Sequence, residues 1–316
     1  MSGKNLWSVN VEKVWIVGDV SRFLKDLLEN PVRKKEITVG NFSDPEFSSS
    51  RVKEFRKLGF VMSSRDDNVF KWYLFLNSDD KWNRDRVIGQ EALVIFSGGQ
   101  DSTTCLYWAL QRFKKVYAVH FDYGQRHQDS EYKATRNIVS LLKVPITYLH
   151  LDIFSQLSDS LLLEKEGDIS SAHRSRNDLP ASFVPGRNLI FISTAAALAY
   201  KLGITNLVAG VCQNDLQGYP DCRQPTIEAL EKALQLGMDY PFRIYTPLIQ
   251  FSKKETVLWA QEIPGCIEGL GFSISCYNGK NPPCGECPAC IGRAKGFAEA
   301  GIEDPIFMSA KTRGDF

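Results

Sequence analysis

The sequence predicts an α/β fold, a parallel sheet covered by helices on both faces, with a small α+β unit in front and a four-cysteine motif behind. Three observations carry this. From Glu91 onward, short apolar runs alternate with helix-period segments. The first run, Ala92–Phe96 (ALVIF), is continuously apolar, as a strand buried on both faces must be. The first 90 residues differ in composition: they hold 16 of the 38 basic and 13 of the 37 acidic residues and four of the six tryptophans, Trp7, Trp15, Trp72 and Trp82. At 316 residues, the chain has room for about two domains.

Taken in order, Ser102–Arg112 follows the first strand as a helix, and Val116–Phe121 reads as the second strand. Asp129–Leu142 is a helix and Ile146–Leu151 a third strand. Residues 152–180 break the rhythm with Ser, Asp, Arg and Asn and little apolar pattern, which marks either a functional loop or a disordered surface insertion. Asn188–Leu202 is a mostly apolar helix ended by Gly203, and Asn206–Gly210 is a fourth strand. Ile227, Leu230 and Leu234 form the stripe of another helix after Pro225. In the front unit, Phe70–Leu76 is β-rich and Val52–Leu58 is a short helix, joined to the rest through Asn77–Gln90. The boundaries expected are 1–90 for an accessory domain and 91–316 for the main one. In parallel sheets ligands sit beyond the carboxyl ends of the strands, so the residues that follow each strand are the ones to inspect.

The charges nearly cancel, 38 basic against 37 acidic, for a net of +1. No global field exists to draw in nucleic acid or an anionic membrane, so neither is expected as a partner. The first 20 residues carry scattered charges and no signal-peptide core, and nowhere do 18 apolar residues run together. A cytoplasmic protein is expected, and its eight cysteines then read as core thiols or metal ligands.

The sharpest motif is Ser97-Gly98-Gly99-Gln100-Asp101-Ser102, between the buried strand and the helix. Two glycines allow a sharp turn and a close backbone approach. The helix that follows presents unpaired N–H groups to an anion. Ser97 and Ser102 add hydroxyls, and Asp101 is placed to hold Mg²⁺ or to orient a nucleotide. The phosphate loop G-x-x-x-x-G-K-[ST] and the fingerprint G-x-G-x-x-G are both absent.

SGGQDS after ALVIF resembles the pyrophosphatase loop of the N-type ATP pyrophosphatases, which cleave ATP to AMP and pyrophosphate while adenylating a substrate. Phe121–His127 (FDYGQRH), Phe183–Asn188 (FVPGRN), Gly218–Arg223 (GYPDCR) and Cys276–Gly279 (CYNG) resemble the QueC family, in order, over about residues 91–302. The resemblance implies a Rossmann-like, adenine nucleotide alpha hydrolase-like fold. It also implies ATP-dependent adenylation of 7-carboxy-7-deazaguanine, capture of the adenylate by ammonia, and activation and dehydration of the amide to 7-cyano-7-deazaguanine, with ATP, Mg²⁺ and Zn²⁺ as cofactors and a homodimer as the assembly. On this reading Phe96, Ser97, Gly98, Gly99, Gln100, Asp101, Ser102 and Thr103, with Asp122, Gly124 and Gln125, bind ATP. Ser97, Asp101, Ser102, Arg187 and Asn188 take part in catalysis. Arg187, Asp215, Tyr219, Asp221 and Arg223 face the acid. Asp215 and Asp221 are the candidates for a guanine-like face, against the plainer alternative that they cap turns around Gly218 and Pro220. His127 is either a phosphate contact or a surface histidine.

Cys276, Cys284, Cys287 and Cys290 have the spacing C-x₇-C-x₂-C-x₂-C, which fits a closed tetrahedral zinc knuckle at 276–290, with an iron–sulfur cluster as the rival. Cys105, Cys212 and Cys266 read as buried thiols, and Cys222 sits between Asp221 and Arg223.

Three positions depart from the QueC pattern: Ala181, Asp215-Leu216-Gln217 and Gln224. The front unit lies outside the resemblance. It reads as an oligomerisation module or as a docking module for a protein partner, with Arg33, Lys34, Lys35, Arg51, Lys53, Arg56 and Lys57 on its surface. QueC-like proteins also occur in anti-phage defence, where the activated deazaguanine is joined to a protein amine. This conjugation is the alternative activity; a catalytically silent nucleotide sensor is the other.

Overall fold

The computed structural model describes residues 89–307, apart from 174–175 and 214–218, together with the backbone of five strands within the first 88 residues. The chain divides into two compact units, Met1–Ile88 and Gly89–Phe316. In the first, β1 (Val9–Asn10), β2 (Lys13–Ile16), β3 (Glu36–Gly40), β4 (Phe60–Asp66) and β5 (Val69–Leu74) form one sheet in the order β1-β2-β3-β5-β4. β2 and β3 run parallel and the other pairs antiparallel. The β-rich run that begins at Phe70 is β5. The predicted helix Val52–Leu58 and the basic residues from Arg33 to Lys57 lie outside the described residues.

The second unit is a five-stranded sheet, every pair parallel, in the order β12-β11-β6-β7-β8. Its elements are β6 (Gly89–Ile95), α1 (Gln100–Arg112), β7 (Phe113–Asp122), α2 (Gln128–Leu142), β8 (Ile146–His150), α4 (Arg187–Leu202), β11 (Asn206–Ala209), α5 (Gln224–Met238) and β12 (Arg243–Tyr245). Between β8 and α4 come α3 (Phe154–Leu157), β9 (Ala172–His173) and β10 (Arg176–Pro180); α6 (Lys253–Glu262), α7 (Cys266–Leu270) and α8 (Pro288–Ala300) complete the unit. The apolar run ALVIF becomes the central strand β6, with Ala92, Leu93 and Val94 fully buried. The chain first builds outward on one side of β6, through β7 to β8, and then crosses to the other side through α4 to β11. Because the crossovers leave β6 in opposite directions, a crevice opens at the carboxyl ends of β6 and β11.

Four strands were legible by pattern. β12 was not, because its three residues are too few to show a period. Residues 152–180 correct the sequence reading more substantially. They are not a surface insertion: Phe154, Leu161, Leu162 and Ile169 are buried in one cluster with Tyr123, Val184 and Ile274. Their apolar side chains come at turn spacing, without helix or strand period, so periodicity misses them. Arg126 fastens the segment, with Nη1 donating to the Gly167 carbonyl at 3.2 Å and Nη2 to that of Lys165 at 3.1 Å.

Candidate active site

The loop after β6 turns at Gly98, whose φ of +78° is one that side chains rarely adopt. Gly99 is extended and precedes α1, and no side chain caps that helix. Its first N–H groups therefore face outward, ready for an anion. Ser97 Oγ and Ser102 Oγ lie 3.1 Å apart across the loop, and Ser102 Oγ donates to the Gly99 carbonyl at 3.2 Å. From behind, the Ile274 amide donates to the Gly98 carbonyl at 2.9 Å. From the side comes Gly210, just past β11. A Cβ there would sit 2.9 Å from the Ser102 nitrogen, so only glycine lets β11 approach the start of α1.

A cavity of about 250 Å³ opens in front of this loop. Phe96, Ser97, Gly99, Gln100, Asp101 and Ser102 form one wall. Arg187, Asn188, Tyr219 and Cys222 form another, and Phe121, Tyr123 and Phe191 supply an aromatic side on which the rings of Phe121 and Phe191 stack at 4.6 Å. Lys253 at the start of α6 closes the loop side, its Nζ 2.6 Å from Asp101 Oδ2. Asp101 Oδ1, Gln100 Nε2, His120 Nε2 and His127 Nδ1 are buried without a hydrogen-bond partner among the described residues, and all four residues line the cavity. Such groups are costly unless a ligand or water completes them.

The opposite wall is cationic. Arg187 donates from Nη1 to the Tyr123 hydroxyl at 3.2 Å and lies over the rings of Tyr123 and Tyr219. Burial works against its charge, but Tyr123, Tyr219, Tyr277 and Asp221 outweigh that effect and raise its pKa. Tyr219 is held by a 2.7 Å bond to Ser182 Oγ and by Phe183, on which it stacks at 5.8 Å.

Other predicted site residues fall elsewhere. Thr103 is fully buried within α1, behind the loop. Asp122 and Gly124 do not line the cavity: the Asp122 carboxylate meets His150 Nδ1 at 2.8 Å, accepts from Gln128 Nε2, and accepts the Gly124 amide at 3.2 Å. Gln125 is buried and braces its own turn, accepting from the Tyr123 amide and donating to Phe121 O and Glu131. Asp221 accepts the backbone amide of Asn188 at 2.9 Å and so steadies the start of α4, which carries Arg187. This bond serves α4, whereas the capping role weighed from the sequence concerned the turns around Gly218 and Pro220. Arg223 is exposed at the start of α5, and Asp215 and Gly218 lie outside the described residues. The surface reading of His127 fails, since only 7% of the residue is exposed. The sequence reading passed over His120, Gly210 and Lys253. The one local signal for Lys253 is the capping box Ser252–Glu255 that begins its helix.

The four cysteines converge: the sulfurs of Cys276, Cys284, Cys287 and Cys290 all lie within 4.8 Å of one another. Contacts from Cys287 and Cys290 hold the Cys276 thiol well below its ordinary value, and the reciprocal contact with Cys276 pushes Cys287 and Cys290 up. This donor set fits a tetrahedral metal ion with no open position. Cys105, Cys212 and Cys266 are buried, as expected. Burial pushes the thiols of Cys105 and Cys266 up, the latter to about 12, which leaves both inert. The knuckle is tied to α2 through Ser130 Oγ, which donates to the Gly279 carbonyl at 2.5 Å. Beside it Arg293 is bound bidentately by Asp304, at 2.7 and 2.8 Å, and donates to Ser273 Oγ at 2.7 Å.

A parallel sheet with its switch point beside an uncapped helix, entered through a Ser-Gly-Gly turn, defines an open α/β protein with an anion-ready crevice. Comparison with known proteins narrows the class. The family model described as "Queuosine biosynthesis protein QueC" matches residues 91–301, and the chain belongs to that family. It is 52% identical over 219 residues to a 7-cyano-7-deazaguanine synthase of Chromobacterium violaceum, spanning 69% of this chain and 93% of the relative. A protein of the same name from Laribacter hongkongensis is 49% identical over 217 residues, 69% of this chain and 94% of that one. The synthase of Bacillus subtilis is 41% identical over 211 residues, 66% of this chain and 94% of its own length.

Proposed function

We propose that the chain uses ATP to adenylate 7-carboxy-7-deazaguanine, aminates the adenylate to the amide with release of AMP, and then uses a second ATP to activate the amide oxygen, which leaves as part of a second AMP while the nitrogen gives up both protons to form 7-cyano-7-deazaguanine. The observation that carries this reading is the cavity itself. Anion-seeking helix amides stand on one side, a half-buried arginine on the other, and an aromatic side of purine-like flatness joins them. The names of the relatives point to the same product.

The chemistry requires this layout. A carboxylate is a poor acyl donor because its leaving group would be oxide, whereas AMP leaves readily. The N–H groups that open α1, with Ser97 and Ser102, receive the departing pyrophosphate where its charge develops. Lys253 neutralises charge at the same end, and Asp101 Oδ1 suits a magnesium ion that shields the phosphates. Arg187 holds the acid or the α-phosphate, with Asn188 as a neutral donor. Cys276, Cys284, Cys287 and Cys290 would hold zinc, which supplies a fixed cross-link and no open coordination site for reaction.

Product analysis tests the reading. Incubated with ATP, magnesium, the acid and ¹⁵N-ammonia, the protein should yield ¹⁵N-labelled nitrile by mass spectrometry, with two AMP per nitrile. A product that stops at unmodified acid overturns the reading.

A further inference from the structure

Two histidines in the cavity have no part in the scheme above. His120 lies within β7 and His127 at the start of α2; they are 2% and 7% exposed. His120 Nδ1 is 3.0 Å from the Phe96 carbonyl oxygen, an atom that can only accept, so the ring proton sits on Nδ1 and Nε2 carries a lone pair. His127 Nε2 faces Glu131 Oε1 at 3.4 Å, which draws its proton to Nε2 and leaves the lone pair on Nδ1. Among the described residues neither lone-pair nitrogen has a partner, and both are buried, in side chains that line the cavity.

What stands behind each ring separates them. A base that takes a proton becomes a cation, and a carboxylate stabilises that cation far better than a carbonyl does. Glu131 is a prepared carboxylate. Its Oε2 accepts from Gln125 Nε2 at 2.6 Å, and Gln125 is itself fixed by the Tyr123 amide and the Phe121 carbonyl. Burial pushes the Glu131 carboxyl up, but His127, His120 and Gln125 outweigh it and hold it below its ordinary value, so it stays ionised. The His127 ring is also braced by Tyr277, with ring centroids 5.7 Å apart.

We propose that His127, oriented and supported by Glu131, is the base that takes the proton from the attacking nitrogen. This rests on the adenylation reading above and assigns its second half-reaction. The ammonia lone pair forms the C–N bond at the acyl carbon, and the carbonyl π pair moves onto oxygen. The ammonium nitrogen of the adduct gives a proton to His127 Nδ1. Collapse of the oxyanion then expels AMP with the electron pair of the broken C–O bond. Amide and AMP result, with one proton left on His127 for release to solvent. Glu131 acts as a positioning residue.

The test separates the half-reactions in the full-length protein. His127→Asn should leave acid-dependent ATP–pyrophosphate exchange within about twofold of wild type. It should slow amide formation from ammonia about 100-fold, the usual contribution of a positioned base. Hydroxylamine, a much less basic nitrogen, gives an adduct acidic enough to lose its proton to water, so hydroxamate formation should survive in His127→Asn. Glu131→Gln should show the same pattern in milder form. Equal losses of exchange and hydroxamate would assign these residues to structure alone and overturn the proposal, as would unchanged amination. Loss of amination in His120→Asn with His127→Asn intact would also overturn it. A wild-type protein without exchange removes the adenylation reading and this proposal together, whereas normal exchange with normal amination in His127→Asn removes only this proposal.

Discussion

Gly98→Val abolishes acid-dependent ATP–pyrophosphate exchange while leaving the protein folded. The backbone at Gly98 has φ +78°, and a Cβ there would lie 3.1 Å from Ala134 Cβ and 3.2 Å from the Thr135 backbone nitrogen. Valine, β-branched, tolerates that conformation least of all residue types. Two outcomes are open to the chain. It can keep the turn at a cost of about 1–3 kcal/mol, or it can reshape the loop. Reshaping is easier, because the loop faces a cavity, whereas α2 behind it is packed. The amides of Gln100–Ser102 then no longer converge on one phosphate. Exchange should fall by at least about 100-fold, the scale of losing a positioned charge-stabilising donor. The thermal midpoint, read by circular dichroism, should drop by less than about 10 °C. A variant with normal exchange would show that the turn is not the phosphate site.

The second large effect is on stability. Asp304→Ala leaves the Arg293 guanidinium buried with its charge uncompensated, since Asp304 supplies both oxygens of its bidentate pair. Breaking one side of such a pair costs about 3–5 kcal/mol, equivalent to roughly 10 °C in a domain of this size. The damage should not stay local. Arg293 also binds Ser273 Oγ and the Leu270 carbonyl, and the next residue but three, Ile274, supports Gly98 from behind. Affinity for ATP should therefore weaken along with the melting temperature. Thermal unfolding with and without ATP measures both, and a variant that melts like wild type would contradict the account.

What the sequence made legible, and what it did not, follows the range of the interactions. The Ser97–Ser102 turn is local: strand, turn and helix are contiguous, with a serine at each end and the two glycines between. The cysteine knuckle is nearly so, with three of its four cysteines within seven residues. The start of α4 is local too, and Phe183–Asn188 could be read as a unit. Lys253 reaches Asp101 from 152 positions away, and Gly210 meets the Ser102 nitrogen from over a hundred away. No window of sequence contains either contact. His120 was overlooked for a different reason: it lies inside a strand, one turn of the pleat before the strand end where ligand contacts are sought. Gln125 and Asp122 look like ligand residues by type and place, yet backbone amides and neighbouring side chains take up their polar atoms. The buried segment around Leu161 and Leu162 was hidden because irregular backbone buries apolar side chains without a period.

The central claim is that this cavity makes a carboxylate reactive by moving AMP onto it. Isotope transfer tests that most directly. With 7-carboxy-7-deazaguanine carrying ¹⁸O in both carboxylate positions, each AMP released should contain one ¹⁸O, because cleavage of the acyl C–O bond leaves the substrate's oxygen on phosphorus. Unlabelled AMP, with ¹⁸O recovered in water or retained in the acid, would show that no acyl adenylate forms here.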